Sequence, residues 1–324
     1  MDIEYLLLLQ NFREATNNVL SPFLLSLCDF TVGMWPVGIM AMIYWVFDRR
    51  AGKRIIGGYG FGLLANGFLK LTFRITRPWL RDARVVPYGD SITSATGYSF
   101  PSGHATWATS CYGGVAIWQR NRHRIISVFF VILAIMVYFA RNYLGVHTPE
   151  DSAAGAIGTL IMMFMVCKVE DWTDKDPSRD LIVLVGGILV CIALVIYYQG
   201  IDIEPIYDAA GNLSVDPAKM KADSFEGIGN VVAYVICRYF ERRCFHFDKE
   251  IEIKDRFIIG TFALIPLYWW FTHVFNYIAP ASRSLARFVT QAGGVVYVMI
   301  IVPAVMALLV SRKIVPIKWE EAYK

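Results

Sequence analysis

The sequence predicts an all-α protein, a polytopic bundle of transmembrane helices. Of its 324 residues, 56% are hydrophobic and only 18% are charged, whereas soluble domains carry about 25% charged residues. Long apolar runs recur along the chain, and many of its 9 Trp and 17 Tyr residues flank them, as interfacial aromatic belts do. Composition and patterning therefore place the chain among multi-pass membrane proteins.

A helix needs about 20 predominantly apolar residues to cross a bilayer. About nine spans are predicted, at 30–47, 55–73, 103–118, 125–140, 151–167, 181–199, 226–240, 257–278 and 288–310. The seventh is short and contains Arg238, so eight spans with a re-entrant or surface helix are an alternative. The segment 1–29 is predicted to form interfacial helices, because its apolar run is too short and its start too acidic for a signal peptide.

The chain is predicted to have three parts. These are the N-terminal interfacial helices at 1–29, a five-helix core at 30–168, and C-terminal transmembrane helices of unknown role at 169–324. None of the six cysteines forms a CxxC pair, so neither a disulfide framework nor a zinc site is expected. The sequence has no basic cluster with interleaved aromatic residues, and we expect no nucleic-acid partner.

Loop charges predict the orientation of the bundle, because cytoplasmic loops are enriched in Lys and Arg. The loops at 48–54 and 119–124 are basic, as is the tail from 312 to 324, whereas the loop at 200–225 is acidic. With the N-terminus outside and nine alternating spans, the basic segments share the inner side. The loops at 74–102 and 141–150 then lie together on the non-cytoplasmic face.

The first motif in these outer loops is Lys70-x6-Arg77-Pro78. Lys70 and Arg77 are about two helical turns apart and would share a face if the helix continued, although Pro78 must end it. A Lys and an Arg at a helix end can clamp a phosphate group. The alternative is that both side chains only snorkel towards the headgroups.

The second motif is Pro101-Ser102-Gly103-His104, directly before a predicted span. Ser102 is a natural N-cap, and Gly103 allows a ligand to approach the backbone. The helix N-terminus would attract an anion, and His104 could protonate a leaving oxygen. The alternative is a capped helix that happens to carry a histidine.

The third motif joins Arg141 to His147 and Asp151. Thr148 is predicted as an N-cap and Pro149 as the first helical residue, which places Asp151 on the first turn. Asp151 could then accept a hydrogen bond from His147, fix its tautomer and leave its other nitrogen free for attack, while Arg141 supplies a third cation. The alternative is that Asp151 only forms a capping box with Thr148.

Together the three motifs resemble the signature of the type-2 phosphatidic acid phosphatase superfamily, K-x6-R-P, P-S-G-H and S-R-x5-H-x3-D. This superfamily includes lipid phosphate phosphatases, glucose-6-phosphatase and the vanadium haloperoxidases. The resemblance covers about residues 50–168 and departs at one position, where Ala140 replaces the usual Ser and removes one expected hydrogen bond near the phosphate. It implies that the five-helix core is a phosphatase.

The resemblance also implies a role for each motif residue. His147 would be the nucleophile that forms a phosphohistidine, Asp151 would orient it, and His104 would protonate the leaving group and then activate water. The phosphate oxygens would be held by the remaining motif residues: Lys70, Arg77, Ser102, Gly103 and Arg141. No metal or other cofactor is expected, because three cations and a helix terminus can supply the electrostatic stabilisation.

The leading functional hypothesis is a membrane phosphatase for a lipid phosphate monoester or diphosphate, acting at the outer or lumenal face. A soluble sugar phosphate is the alternative substrate, since that class occurs within the family. A haloperoxidase is disfavoured because the known examples look soluble. A transporter or flippase is also disfavoured, despite His273 within a predicted span, because paired half-sequences are absent and the polar residues cluster at one face.

Overall fold

The computed structural model describes residues 2–93, 95–244 and 251–312 and confirms an almost entirely α-helical chain. Its helices are α1 (Asp2–Ala15), α2 (Ser21–Val32), α3 (Met34–Met42), α4 (Arg49–Phe73), α5 (Pro78–Arg81), α6 (Gly103–Ala108), α7 (Gly114–Gln119), α8 (Arg124–Tyr143), α9 (Pro149–Asp174), α10 (Asp180–Gly200), α11 (Pro217–Cys244), α12 (Ile253–Ile278), α13 (Arg283–Val296) and α14 (Val302–Ser311). Single π-helical segments follow α3, α6 and α13, and a short antiparallel hairpin pairs β1 (Ile206–Tyr207) with β2 (Leu213–Val215).

Five helical segments are long and apolar enough to cross a membrane: Arg124–Tyr143, Pro149–Asp174, Pro177–Gly200, Ile253–Ile278 and Arg283–Val310. A sixth would be the pair of α2 with α3 and its π-helical extension, which is bent by 51°. The predicted count of about nine is therefore not confirmed. The other three predicted spans are helical as well, within α4, α6–α7 and α11, but they do not meet these requirements of length and apolarity.

The C-terminal helices pack directly on the core that carries the motifs. On α11, a Cβ atom added to Gly227 would lie 2.5 Å from the backbone nitrogen of Leu64 in α4. The neighbouring Gly229 faces α13 in the same way, against the backbone of Phe288. Since only glycine permits such close backbone approaches, α11 is fixed between α4 and α13 within one bundle.

A buried charge network joins the core to the C-terminal helices at the end opposite the motifs. Arg238 of α11 donates to Glu170 of α9 at 2.5 Å and to Asp180 of α10 at 2.8 Å. Lys53 of α4 lies 3.3 Å from both Glu170 and Glu241. Arg238 therefore does not interrupt α11, which runs unbroken from Pro217 to Cys244, because two carboxylates compensate its charge.

The predicted basic loops lie together at this same end. Arg122 pairs with Asp48 at 3.0 Å, which joins the loop after α7 to the start of α4. Arg50 and Arg242 both pair with Asp174 at the end of α9. The predicted basic tail lies beyond residue 312, outside the described residues.

Within the predicted N-terminal segment, α1 and α2 are helices joined by a turn at 16–20, and α1 is tied to the end of α5 and the loop that follows it. Arg81 pairs with Asp2 at 2.7 Å, and Arg84 pairs with Glu4 at 3.0 Å. Arg13 donates to the backbone carbonyl of Tyr143 at 3.1 Å, at the end of α8. The N-terminal helix thus packs over the loops that carry the motifs.

Candidate active site

The first motif does not lie on one continuous helix. α4 ends at Phe73, and Arg74 turns the chain through the left-handed region (φ 52°, ψ 36°). Arg77 is extended (φ −64°, ψ 152°), as expected for a residue before proline, and Pro78 opens the short helix α5. The helix therefore does not continue to Arg77, which was the condition for a shared helix face, yet Lys70 and Arg77 line the same cavity.

The Arg77 side chain is held by backbone carbonyls. Its Nε donates to the carbonyl of Gly97 at 3.0 Å, and its Nη atoms donate to those of Thr96 at 3.2 Å and Val146 at 3.0 Å. Lys70 Nζ donates to the carbonyl of Tyr98 at 3.3 Å. The segment 96–98 therefore fixes both cations of the first motif before any ligand binds.

The second motif begins a helix as predicted. Ser102 Oγ accepts from the backbone nitrogen of Ala105 at 3.4 Å, and Ser102 N donates to the carbonyl of Asp151 at 2.9 Å. Gly103 lines the cavity, and a Cβ atom added there would meet no atom within 4 Å. The start of α6 is thus tied to the third motif and open towards the cavity.

His104 lines the cavity beside Gly103 and is only 7% exposed. Its Nε2 has no hydrogen-bond partner among the described residues. Buried side-chain nitrogens are normally paired, so this atom is available to a ligand in the cavity.

In the third motif, Asp151 makes the contacts of both alternatives that the sequence left open. Thr148 and Asp151 form a capping box, in which Thr148 N donates to Asp151 Oδ2 at 2.8 Å and Asp151 N donates to Thr148 Oγ1 at 3.4 Å. The same Oδ2 atom lies 3.4 Å from His147 Nδ1 and accepts from Ser99 Oγ at 2.5 Å. Asp151 therefore caps α9 and also contacts His147.

The hydrogen bonds of His147 define its tautomer. Its Nε2 lies 2.9 Å from Arg77 Nη1, and a guanidinium can only donate, so Nε2 carries the lone pair and Nδ1 carries the proton directed at Asp151. Burial and the nearby Arg77 cation hold the pKa of His147 well below its usual value. Burial also lowers the pKa of Arg77, to about 9, which leaves it charged at neutral pH beside a neutral imidazole.

Arg141 lies behind the cavity. It is completely buried in the last turn of α8, and its carbonyl accepts from the backbone nitrogens of Val146 at 3.2 Å and His147 at 3.3 Å. Its side chain lies beside Cys28 of α2, and its charge contributes to the lowered pKa of Arg77. Arg141 thus anchors the loop that carries His147 and adds positive potential behind the cavity.

The cavity has a volume of about 190 Å³. Five of the eight predicted site residues line it, and they are Lys70, Arg77, Gly103, His104 and His147. Ser102, Arg141 and Asp151 stand behind its wall. The cavity is also lined by four charged side chains of the C-terminal helices that no sequence motif singles out: Lys219, Asp223, Glu226 and Arg287.

A second chamber of about 500 Å³ shares Gly103, His104 and Trp107 with the first. It extends between the break that separates α2 from α3 and helices α12 and α13. Much of its lining is apolar, including Met34 and Phe271. His273 lines neither chamber and instead stacks on Trp269. In the described part of the chain, no group of three or more His, Cys, Asp or Glu side chains could hold a metal ion.

Fold and site together define a helical-bundle protein with a buried histidine–aspartate pair beside a cationic phosphate-sized pocket. Residues 52–174, which include all eight predicted site residues, match the model of the PAP2 superfamily. This segment of the chain is therefore similar to the PAP2 superfamily.

Three curated proteins are similar to parts of the chain. The undecaprenyl-diphosphatase BcrC of Bacillus subtilis is 24% identical over 173 residues, which cover 52% of this chain and 82% of the relative. Phosphatidylglycerophosphatase B of Bacillus subtilis is 28% identical over 111 residues, which cover 32% of this chain and 54% of the relative. The putative undecaprenyl-diphosphatase YbjG of Escherichia coli is 26% identical over 148 residues, which cover 44% of this chain and 71% of the relative. No solved structure matches the chain.

Proposed function

We propose that this chain is an integral-membrane phosphatase that hydrolyses a lipid phosphate at the non-cytoplasmic face through a phosphohistidine. That it is a phosphatase follows from its family and from the phosphatase names of its relatives. The observation that carries the proposed mechanism is the 2.9 Å contact of His147 Nε2 with Arg77. The contact assigns the lone pair to Nε2, and this lone pair becomes free to attack phosphorus when Arg77 Nη1 donates to a phosphate oxygen instead.

The first step is transfer of the phosphoryl group to the enzyme. Lys70, Arg77 and the backbone at Gly103 bind the phosphate oxygens and stabilise the charge that develops on them. His147 Nε2 attacks phosphorus, the bond from phosphorus to the leaving oxygen breaks, and protonated His104 gives its proton to that oxygen. The phosphate dianion favours the protonated form of His104 before this step.

The second step releases the phosphate. His104, now neutral, removes a proton from a water molecule as the water oxygen attacks the phosphorus of the phosphohistidine. The bond from phosphorus to nitrogen breaks, and inorganic phosphate leaves while His147 regains its lone pair. Asp151, fixed by Ser99 and Thr148, stabilises the positive charge on His147 in both steps.

A lipid is the favoured substrate class because the site opens into the larger, partly apolar chamber. The names of the relatives include an undecaprenyl diphosphate and a phosphatidylglycerophosphate activity. The non-cytoplasmic face is favoured because the basic loops gather at the end of the bundle opposite the motifs, and basic loops are typical of the cytoplasmic side. A soluble sugar phosphate is the second candidate, because the cavity wall from α11 and α13 is polar.

The test is phosphate release by the purified full chain in detergent with EDTA present. The panel contains phosphatidylglycerophosphate, phosphatidate, undecaprenyl diphosphate and glucose 6-phosphate. We expect at least one lipid to be hydrolysed, with a phosphoenzyme trapped by alkaline quenching. The variant His147→Ala should abolish both signals, while the matched control His273→Ala keeps them.

Three results would contradict parts of the proposal. Turnover by His147→Ala would remove the nucleophile, and activity on glucose 6-phosphate alone would favour the sugar alternative. A loss of activity in EDTA that Mg²⁺ restores would overturn a mechanism without metal.

A further inference from the structure

Four charged side chains from the C-terminal half form a compact cluster on the wall of the catalytic cavity. Lys219, Asp223 and Glu226 follow one another at spacings of four and three residues, so they share one face of α11. Arg287 joins them from α13. All four line the cavity that also contains Lys70 and His104.

The members of this cluster pair with one another. Arg287 lies 2.7 Å from Glu226 and 3.0 Å from Asp223, and Lys219 lies 2.5 Å from Asp223. Two cations and two carboxylates make the cluster neutral overall. It therefore adds no net positive charge to the phosphate pocket and is poorly suited to bind the phosphate itself.

The cluster lies beside the position that the leaving group of a bound substrate would occupy. Glu226 and Arg287 line both the catalytic cavity and the second chamber, as does His104. The unpaired Nε2 of His104 is the atom that would protonate the leaving oxygen. The atoms next to that oxygen must therefore pass Glu226 and Arg287 on their way to the apolar chamber.

The mixed charges limit which chemistry fits there. A second phosphate group would be attracted by Lys219 and Arg287 but repelled by Asp223 and Glu226, and an ammonium group would meet the reverse. A hydroxyl group can donate to a carboxylate and accept from a guanidinium at the same time. Of the three, a neutral hydroxyl fits the cluster best.

We infer that the cluster of Lys219, Asp223, Glu226 and Arg287 is a specificity subsite for a hydroxyl group on the leaving alcohol. The preferred substrates would be phosphate esters of polyols, such as glycerol-based lipids or sugars, rather than prenyl phosphates or diphosphates. This inference rests on the proposed function and narrows its substrate class.

The test compares two lipids that differ by one hydroxyl group. 1-Oleoyl-glycerol 3-phosphate carries a hydroxyl beside the phosphate ester, and 1-oleoyl-propanediol 3-phosphate lacks it. We expect the full chain in detergent to prefer the first by about 10- to 100-fold in kcat/KM, since the missing hydroxyl would leave charged groups without a hydrogen bond. Glucose 6-phosphate and farnesyl diphosphate are run alongside to distinguish a glycerolipid from a sugar and from a diphosphate.

The diagnostic variant is Glu226→Gln with Arg287→Gln, which removes one charge of each sign and keeps the cluster neutral. We expect it to reduce the preference to about threefold or less, because kcat/KM falls more on the hydroxyl-bearing lipid than on the deoxy lipid, and the thermal unfolding midpoint of the same preparation shows whether the variant is folded. The matched control is Arg283→Gln, which removes an exposed cation one turn earlier on α13, paired with Asp216 at 3.2 Å. It should keep the full preference.

Equal turnover of the two lipids by the wild-type chain would overturn the subsite, as would a preference for farnesyl diphosphate. An equal loss on both lipids in the double variant would show that the cluster only supports the fold. Failure of the proposed function looks different, because the wild-type chain would then release phosphate from none of these compounds.

Discussion

The substitution Asp151→Asn separates the charge of this residue from its hydrogen bonds. Ser99 Oγ, Thr148 N and His147 Nδ1 all contact the same oxygen, Oδ2, at 2.5, 2.8 and 3.4 Å. An asparagine whose carbonyl oxygen takes this place keeps all three contacts. Asp151 is the N3 residue of the capping box and accepts there from the Thr148 backbone nitrogen, which an asparagine oxygen can also do, so the substitution removes the negative charge and little else.

The expected loss of activity follows from the distance between the two groups. A unit charge on Asp151, 3.4 Å from a cationic His147, contributes about 5 kcal/mol at an effective dielectric constant of about 20. Since about 1.4 kcal/mol corresponds to a tenfold change in rate, the formation of the phosphohistidine should slow by about 10³- to 10⁴-fold. The free energy of unfolding should fall by only about 1 kcal/mol or less, the contribution of a negative charge at a helix N-terminus.

The measurement is single-turnover formation of the phosphoenzyme, together with the thermal unfolding midpoint of the same preparation. Ser99→Ala is the matched control, because it removes one hydrogen bond to Asp151 and keeps the charge, and it should cost about tenfold or less. A rate for Asp151→Asn within tenfold of wild type, in a folded protein, would refute the reasoning. The carboxylate would then serve α9 as a cap and contribute little to the chemistry.

Two further predictions concern ionisation and stability. Because the pKa of His147 is lowered in the folded chain, kcat/KM should decline on the acid side only below about pH 6.5, where Nε2 becomes protonated. The unfolded chain binds this proton first, so the free energy of unfolding should also fall as the pH drops below that value; an acid limb centred above pH 6.5 would contradict the assignment. Arg238→Ala should destabilise the protein by about 3 kcal/mol, the lower end for a broken buried ion pair, because Glu170 keeps Lys53 and Asp180 keeps Arg242 as partners. Arg243→Ala, which removes a partly exposed cation on the same helix, should cost about 1 kcal/mol or less. Equal shifts of the two thermal midpoints would show that burial of the Arg238 network is not what stabilises the bundle.

The motif residues could be found from the sequence because each sits at the start or end of a helix and has a side-chain signature. Ser102 and Thr148 are recognisable N-caps, and the spacing of His147 and Asp151 places them within reach of one another. The acceptors that hold Arg77 could not be found in this way, because they are the backbone carbonyls of Thr96 and Gly97. Every residue has a backbone carbonyl group, so the residue types do not show which carbonyls accept these hydrogen bonds.

Ser99 and the cluster on α11 were missed for different reasons. Ser99 is a lone serine three residues before Ser102, and only the folded chain shows that it donates to Asp151. Lys219 and Asp223 did carry a signal, namely their spacing with Glu226. The predicted span began at 226, so these two residues were assigned to the acidic loop, whereas the helix begins at Pro217.

Three predicted spans, within α4, α6–α7 and α11, are not long and apolar enough to count as membrane spans, and all three contribute side chains to the cavity. α4 contributes Asn66 and Lys70, α6 contributes His104, and α11 contributes Asp223 and Glu226. Polar and charged side chains within such segments are expensive in a bilayer and are tolerated where they face a water-filled cavity or one another. The departure from simple hydropathy thus follows from the site itself. It also explains why α11, outside the matched segment, carries charged side chains along its first turns, since they line the same cavity as the motif residues.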